Sequence, residues 1–524
     1  MMDLLIRNGL VIDGSGSPGY HASVGIAGNV ISLLRGDVTH IEARKDIDAK
    51  GKIVCPGFID VHAHSALMIL HDPHHLPKVH QGVTTELIGI DGNSYAPFTG
   101  QQDLKDFITL NAGLEGCPPV EPDWLSVSEY LSRYDKKVSV NIAYVVGNSP
   151  IRISAMGWSD RSASQLELDK MQGLIRESLQ EGAVGMSTGL DYPPGSYADT
   201  EELVKLSEEV AKSGGIYHTH VRYSLGDRFL DPYREAIDIG RRSGVPVHLT
   251  HMHPKTAYAE SSLKLVDLVQ EARDDGLNVT FDCIPYPHGG TRLVGLLPQW
   301  THDGGLSRIY EVLGTKEGRE RLRKEFSQGY RESWDHVWLT YFKHGRNKQY
   351  EGRSVQELAE MTGKTVMDAV CDLLLDEDLQ TSFHSSGLDP ELLPVFFTYM
   401  PMMVGSDAIL LGDYPPALGY GSFPMVIAKF CRDDRRMSLH DAIRKMTSYP
   451  ARLLGLDRRG MLQDGMKGDV VVFDYDNIQA LATRDNPKQF CKGIDYVIVN
   501  GEIVVDHGEH TGIMAGRTLT SRSA

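Results

Sequence analysis

Cysteine is scarce in this chain: six in 524 residues, none in a CxxC spacing. Cys55, Cys117, Cys283, Cys371, Cys431 and Cys491 are scattered, which excludes a zinc ribbon or a disulfide framework and predicts buried free thiols. Long apolar runs are missing too. No stretch of about 18 apolar residues occurs, and the opening MMDLLIRNGLVIDGSG lacks a basic segment followed by an apolar one. A soluble, cytoplasmic protein with no membrane partner is expected. Positive charge is short as well: 53 basic against 70 acidic residues gives −17, which argues against a nucleic-acid partner. No low-complexity tract or internal repeat is evident. What is present is an ordinary globular composition, 41% apolar and 23% charged, in a chain long enough for a large domain and a smaller one.

The two ends read alike. Residues 1–55 alternate short apolar runs with turns (LLIRNGLVI, DGSGSPG, SVGIAGNVISLL), and 455–524 do the same in GDVVVFD, DYVIVNG and EIVVDHGEH. Both predict small antiparallel strands, so a β-sandwich assembled from the two termini is expected to flank the middle. Residues 56–454 instead alternate β-branched runs with amphipathic helical stretches. Eight candidate strands fall at 57–62, 83–91, 140–147, 183–189, 215–220, 245–251, 277–284 and 402–407. Helices are predicted over 164–182, 200–214, 232–244 and 261–276. Eight βα units predict a TIM-like (β/α)8 barrel. The long gap before the last strand predicts an insertion within about 285–400, lying over the active site.

Catalytic groups of such barrels sit at the C-terminal strand ends, so position is the test. The first strand ends in His62 and runs on to His64; two residues apart in extended chain, both rings face one side. Asp91, His220, His251 and Asp407 close the second, fifth, sixth and eighth strands. Imidazole and carboxylate donors suit Zn²⁺ first, with Mn²⁺, Fe²⁺ or Co²⁺ as alternatives. His71, His74, His75 and His80, in HDPHHLPKVHQG, are read as surface or supporting residues; His218 as core or support; His253 as a candidate for the pocket wall.

The segments PGFIDVHAHS, QGVTTELIGIDGNSYAP, GAVGMSTGLDYPPG, THVR with LTH after it, VGSD, and KMTSYPARLLGL leading to GMLQDGMKGDVVVFD span nearly the whole chain. They resemble the N-acyl-D-amino-acid deacylases (D-aminoacylases) of the amidohydrolase superfamily. PGFID with HxH is superfamily-wide, whereas STGLDYPPG and the AP-ended loop point to the D-aminoacylase branch. The resemblance implies a barrel with a small terminal β-domain, a small-molecule N-acyl amide substrate, and zinc in one or two sites. It also implies that His220 and His251 hold the tight ion, His62 and His64 the weaker one, that Asp407 is the acid/base and that Tyr192 binds substrate. A homo-oligomer is compatible with it.

Three departures stand out. Asp91 falls where the family has a metal-binding cysteine, so a harder carboxylate replaces a thiolate as ligand or bridge. Strand four, AVGMSTG, has no lysine to form a carbamate bridge. Met425, in GSFPMV, replaces a family arginine that clamps the substrate carboxylate, so either Arg222, Arg292 or His253 takes the anion or the substrate is a neutral or differently shaped amide. A cyclic-amide hydrolase like hydantoinase or dihydroorotase is the competing expectation, and a metal-free, non-catalytic homologue the remote one.

Overall fold

The computed structural model describes residues 1–223, 228–256, 259–326 and 334–520. Thus 327–333 of the predicted insertion and the last four residues of the predicted terminal segment lie outside the described residues. All eight expected strands form the barrel: Phe58–Asp60, Val83–Ile88, Asn141–Gly147, Gly185–Gly189, Ile216–His220, Val247–Leu249, Val279–Cys283 and Met402–Val404. Neighbours run parallel in chain order. The barrel closes between its first and last strands at the rim, where the Ser406 and Asp407 N–H groups donate to His62 O (3.2 and 2.8 Å) and Ala408–Ile409 pairs with Ala63–His64. Inward residues such as Ile59, Leu87, Val145, Val184, Ile216 and Met403 pack on Ala451 and Leu454, which plug the bottom.

The predicted helices stand at Gln165–Gln180, Thr200–Lys212, Asp231–Ser243 and Ala259–Asp274. Ser164 and Glu167 form a capping box at the first, and Asp199 caps the second through the Glu202 N–H. Several strands end earlier than their sequence suggests. Asp91, His251 and Asp407 all have left-handed backbones (φ 52°, 30° and 50°), which cannot continue an extended ladder, so the chain curls over the rim at these residues. Such strain at three non-glycine positions marks a site where placement outweighs local conformational preference.

Both termini feed one nine-stranded sheet instead of two separate ones. The join is Ile53–Pro56, antiparallel to Val470–Phe473 and parallel to Met2–Val11. Ile31 near one edge shares a core with Tyr496 and Ile498 near the other, so the sheet curls around its own apolar interior. Thr518–Leu519 leaves it to run beside barrel strand three. Between barrel strands seven and eight lies a three-stranded antiparallel sheet, His288–Arg292, Ser382–Ser386 and Val337–Tyr341, sharing a separate core with the helices Leu306–Gly314, Lys316–Glu325, Val355–Thr362 and Val366–Asp376. The six cysteines are unpaired; Cys117 is exposed, against expectation, on the segment that leaves the buried helix end at Glu115 and Gly116. Among the described residues no helix is long and apolar enough to cross a membrane.

Candidate active site

The rim residues converge on one oxygen. Asp91 Oδ2 lies 3.4 Å from His62 Nε2, 3.6 Å from His64 Nε2, 3.5 Å from His220 Nδ1 and 3.5 Å from His251 Nε2. Asp407 Oδ1 completes the set at 3.4 Å from His62 Nε2 and 3.2 Å from His64 Nε2. Strand five carries His220 and the short rim strand Ala63–His64 carries His64; His62, Asp91, His251 and Asp407 sit just past strands one, two, six and eight. The approach of the Asp91 turn to strand four needs Gly189, where a Cβ would lie 2.0 Å from Asp91 O.

This donor set fits a divalent ion. Bonds of about 2.0–2.2 Å in a tetrahedron leave ligand atoms roughly 3.4 Å apart, close to the separations found here. The His62 Nε2 and Asp91 Oδ1 atoms are buried without hydrogen-bond partners, a costly state that ligation relieves. Three overlapping groups arise among the described residues: His62, His64 and Asp407; His62, Asp91 and His251; and, deeper, His62, His218 and Asp282.

Each imidazole is held from behind. His62 Nδ1 is 3.3 Å from Asp282 Oδ2, His64 Nδ1 3.3 Å from Glu115 Oε1, His220 Nε2 3.2 Å from Asp191 Oδ2, and His251 Nδ1 3.0 Å from Tyr223 Oη. Asp282 also meets His248 Nε2 (3.0 Å) and accepts the His251 N–H (2.9 Å), so one buried carboxylate ties together strands one, six and seven. Carboxylates behind ligating histidines fix ring orientation and tautomer. None of these supports was identified from sequence. Asp282 stands in the apolar strand LNVTFDCI, a signal that was there to be used, whereas Glu115 closes a helix that sequence ties to nothing.

The charges interlock. Burial alone would lower the His62 pKa, but Asp91 and then Asp282 raise it well above the usual imidazole value. His64 is raised likewise against burial by Asp407, Asp91 and Glu115. For His220, burial opposes and Asp191 and Asp91 lift the pKa to about 9. Burial pushes Asp91 and Asp407 up, yet the histidines around them hold both carboxylates well below their ordinary range. A cation is what this cluster is arranged to receive, and in the metal-free chain protons fill that role.

Above the cluster is a cavity of about 350 Å³ between the rim and the insertion. His64, Asp91, His220, His251 and Asp407 form its floor; Tyr192, Tyr223, His253 and Lys255 one side; Thr291, Phe383 and Leu388 the other. Of the four expected substrate contacts, Tyr192 and His253 reach it. Arg222 does not: Glu235 and the Ser196 and Ala198 carbonyls occupy its guanidinium. Met425 lines a different cavity, beside Pro285 and Pro287, because its helix Leu418–Met425 packs outside the rim. Arg292 is buried on the face of Tyr192 and donates to Asn111. His218 Nε2 donates to Val61 O (3.1 Å), and His75 is buried against Glu86. Lys255, facing the Tyr223 ring, was missed.

The model of the amidohydrolase family matches residues 45–292 and 398–505. A D-aminoacylase of Alcaligenes xylosoxydans xylosoxydans is 31% identical, covering 100% of this chain and 98% of the relative. An N-acyl-D-glutamate deacylase of the same organism is 31% identical over 95% and 93% of the two chains. The crystal structure of N-acyl-D-glutamate deacylase from Bordetella bronchiseptica, complexed with zinc and a phosphonate mimic of the tetrahedral intermediate, matches with TM-score 0.83 at 29% identity, covering 99% of each chain. A D-hydantoinase shares the fold alone, at 15% identity and TM-score 0.59. With that coverage and the metal-ready cluster at the rim, the chain belongs to the amidohydrolase family, in its D-aminoacylase branch.

Proposed function

We propose that this chain hydrolyses the amide bond of an N-acyl-D-amino acid or a related N-acyl compound, with one or two divalent ions, zinc first, held by His62, His64, Asp91, His220 and His251. The observation that carries the reading is the convergence of four imidazole nitrogens on Asp91 Oδ2 beneath a substrate-sized cavity. A divalent ion in this site supplies Lewis acidity, polarising the scissile carbonyl and lowering the pKa of water towards about 7. Asp91, whose Oδ2 faces four imidazole nitrogens, would be the carboxylate ligand held in common if two ions bind, a part that strand four has no lysine to play.

Asp407 is the acid/base. Its Oδ1 faces His62 and His64, while Oδ2 lies towards Gly289 across the cavity, 3.9 Å from where a Cβ would stand. The histidines keep the group ionised at neutral pH, so Oδ2 accepts the water proton and returns it to the departing amine. Tyr192 and His253 line the path of the substrate. In this reading residues 56–454 are the catalytic barrel with its insertion, and 1–55 with 455–524 the small β-domain. The unpaired cysteines favour a cytoplasmic setting. The cyclic-amide alternative keeps the metal site but has only fold-level support.

The test is a matched panel of N-acetyl-D- and N-acetyl-L-amino acids, hydantoins and dihydropyrimidines, assayed with zinc-loaded protein. Turnover confined to the linear D series is expected. Conversion of the cyclic amides alone would overturn the reading.

A further inference from the structure

One seam of the barrel has no ladder of its own. The other neighbouring strands are hydrogen-bonded in chain order, whereas among the described residues strands one and eight are joined only at the rim. At this seam lies a fully buried charge cluster. Lys78, on the helical turn Leu76–Val79, donates to Asp60 Oδ2 of strand one and stands 3.3 Å from Glu86 Oε1 of strand two. All three side chains are shut off from solvent. Burial alone would lower the Lys78 pKa, but Asp60 and then Glu86 raise it, so the group remains an ammonium. Taking these charges out of water is costly, and an apolar side chain in the same place would avoid the cost. What the lysine adds is direction.

Its remaining bond leads to the site. Lys78 Nζ donates to Ser406 Oγ at 2.7 Å. That hydroxyl donates in turn to His62 O (3.1 Å) and accepts the Ala408 N–H (3.2 Å). The Ser406 and His62 N–H groups both donate to Asp60 Oδ1, at 3.1 Å each. Ser406 and Ala408 are the two chain neighbours of Asp407, so the acid/base is tied on both flanks. Asp407 needs such ties, because its left-handed backbone (φ 50°) is held only where the surroundings over-determine it. Glu86 secures the facing edge, where its Oε2 accepts the hydroxyl of Ser65, next to His64, at 2.5 Å. We propose that Lys78 is a positioning residue which, through the Ser406 hydroxyl, fixes the Asp407 carboxylate against His62 and His64. The proposal rests on the role of Asp407 in the deacylase reading and adds the residue that holds it in place.

The experiment compares zinc-loaded wild type with Ser406→Ala, Lys78→Met and the double variant, by turnover of N-acetyl-D-leucine and by thermal melting. Crystal structures of wild type and Ser406→Ala accompany them. Ser406→Ala keeps the buried ion pairs and should melt close to wild type. Its Asp407 carboxylate should shift by about 1 Å from His62 and His64, and kcat should fall about 100-fold with KM little changed. Lys78→Met should lose at least as much, and the double variant no more than Lys78→Met alone, because both substitutions act along one path. Should Lys78→Met not fold with Asp60 left unpaired, Lys78→Met combined with Asp60→Asn removes both charges and should show the same loss. An unmoved Asp407 carboxylate, an unchanged kcat, or additive losses in the double variant would overturn the proposal. A displaced carboxylate in Ser406→Ala without turnover by either protein retains the positioning role and removes the deacylase reading.

Discussion

The floor and the wall of the cavity are built on opposite plans. On the floor every ligand nitrogen faces a carboxylate and every supporting nitrogen is held: Asp282, Glu115, Asp191 and Tyr223 stand behind His62, His64, His220 and His251. The wall, contributed by the insertion and the loop after strand six, is largely uncharged and glycine-rich, with one cation, Lys255, that lies over the Tyr223 ring and is acted on by the Asp191 carboxylate. A dense, mutually oriented set holds the reacting centre still, and a sparse one leaves the substrate to fill the space. Chemistry and selectivity are thereby separable, and substitutions in the two regions should produce different kinds of loss.

The largest effect is expected at the shared oxygen. Asp91→Ala removes the acceptor on which four imidazoles converge, so activity should fall to background and zinc content by at least one equivalent, measured by elemental analysis. Next comes Asp407→Asn, which should lower kcat by about 10²–10⁴-fold while KM changes little and an ion remains with His220 and His251; steady-state kinetics with metal analysis checks this. Asp282→Asn weakens the tie of strands one, six and seven and should reduce zinc affinity about 10–100-fold in a chelator competition, a readout independent of turnover. By contrast, Phe383→Ala on the wall should shift KM among side chains with zinc affinity unchanged.

The smallest effect is on pH and stability. In the metal-free chain His220 titrates at about 9, above its unfolded value of about 6.5. Its protonated form therefore stabilises the fold fully below about pH 6.5, and that contribution is lost as pH rises through about 9. The melting temperature of the metal-free protein should decline across this window. The zinc-loaded protein should be flat there, since a ligated imidazole carries no proton.

The barrel and its floor were legible in the sequence because two independent patterns agree: β-branched apolar runs alternating with helical stretches, and a His or Asp at the end of five of the eight runs. His62, His64, Asp91, His220, His251 and Asp407 all meet where that pattern places them. What the pattern cannot convey is direction after the strand ends, which is set here by the left-handed backbones of Asp91, His251 and Asp407. Arg222 looked available two residues past His220, yet Glu235 on the following helix turns it away. Met425 suggested a lost anion clamp, but its helix faces another cavity. Lys255 follows His251 by four residues in a stretch with neither strand nor helix period, so nothing in the sequence separated it from surface lysines.

The central claim is that Asp91 bridges the metal site, and anomalous diffraction at the zinc edge from crystals grown with zinc tests it most directly. The account predicts an anomalous peak about 2.0–2.2 Å from Asp91 Oδ2, sharing that oxygen with His220 and His251 or with His62 and His64. A peak bound by the histidines with the Asp91 carboxylate turned away, or no peak at the rim, would contradict it.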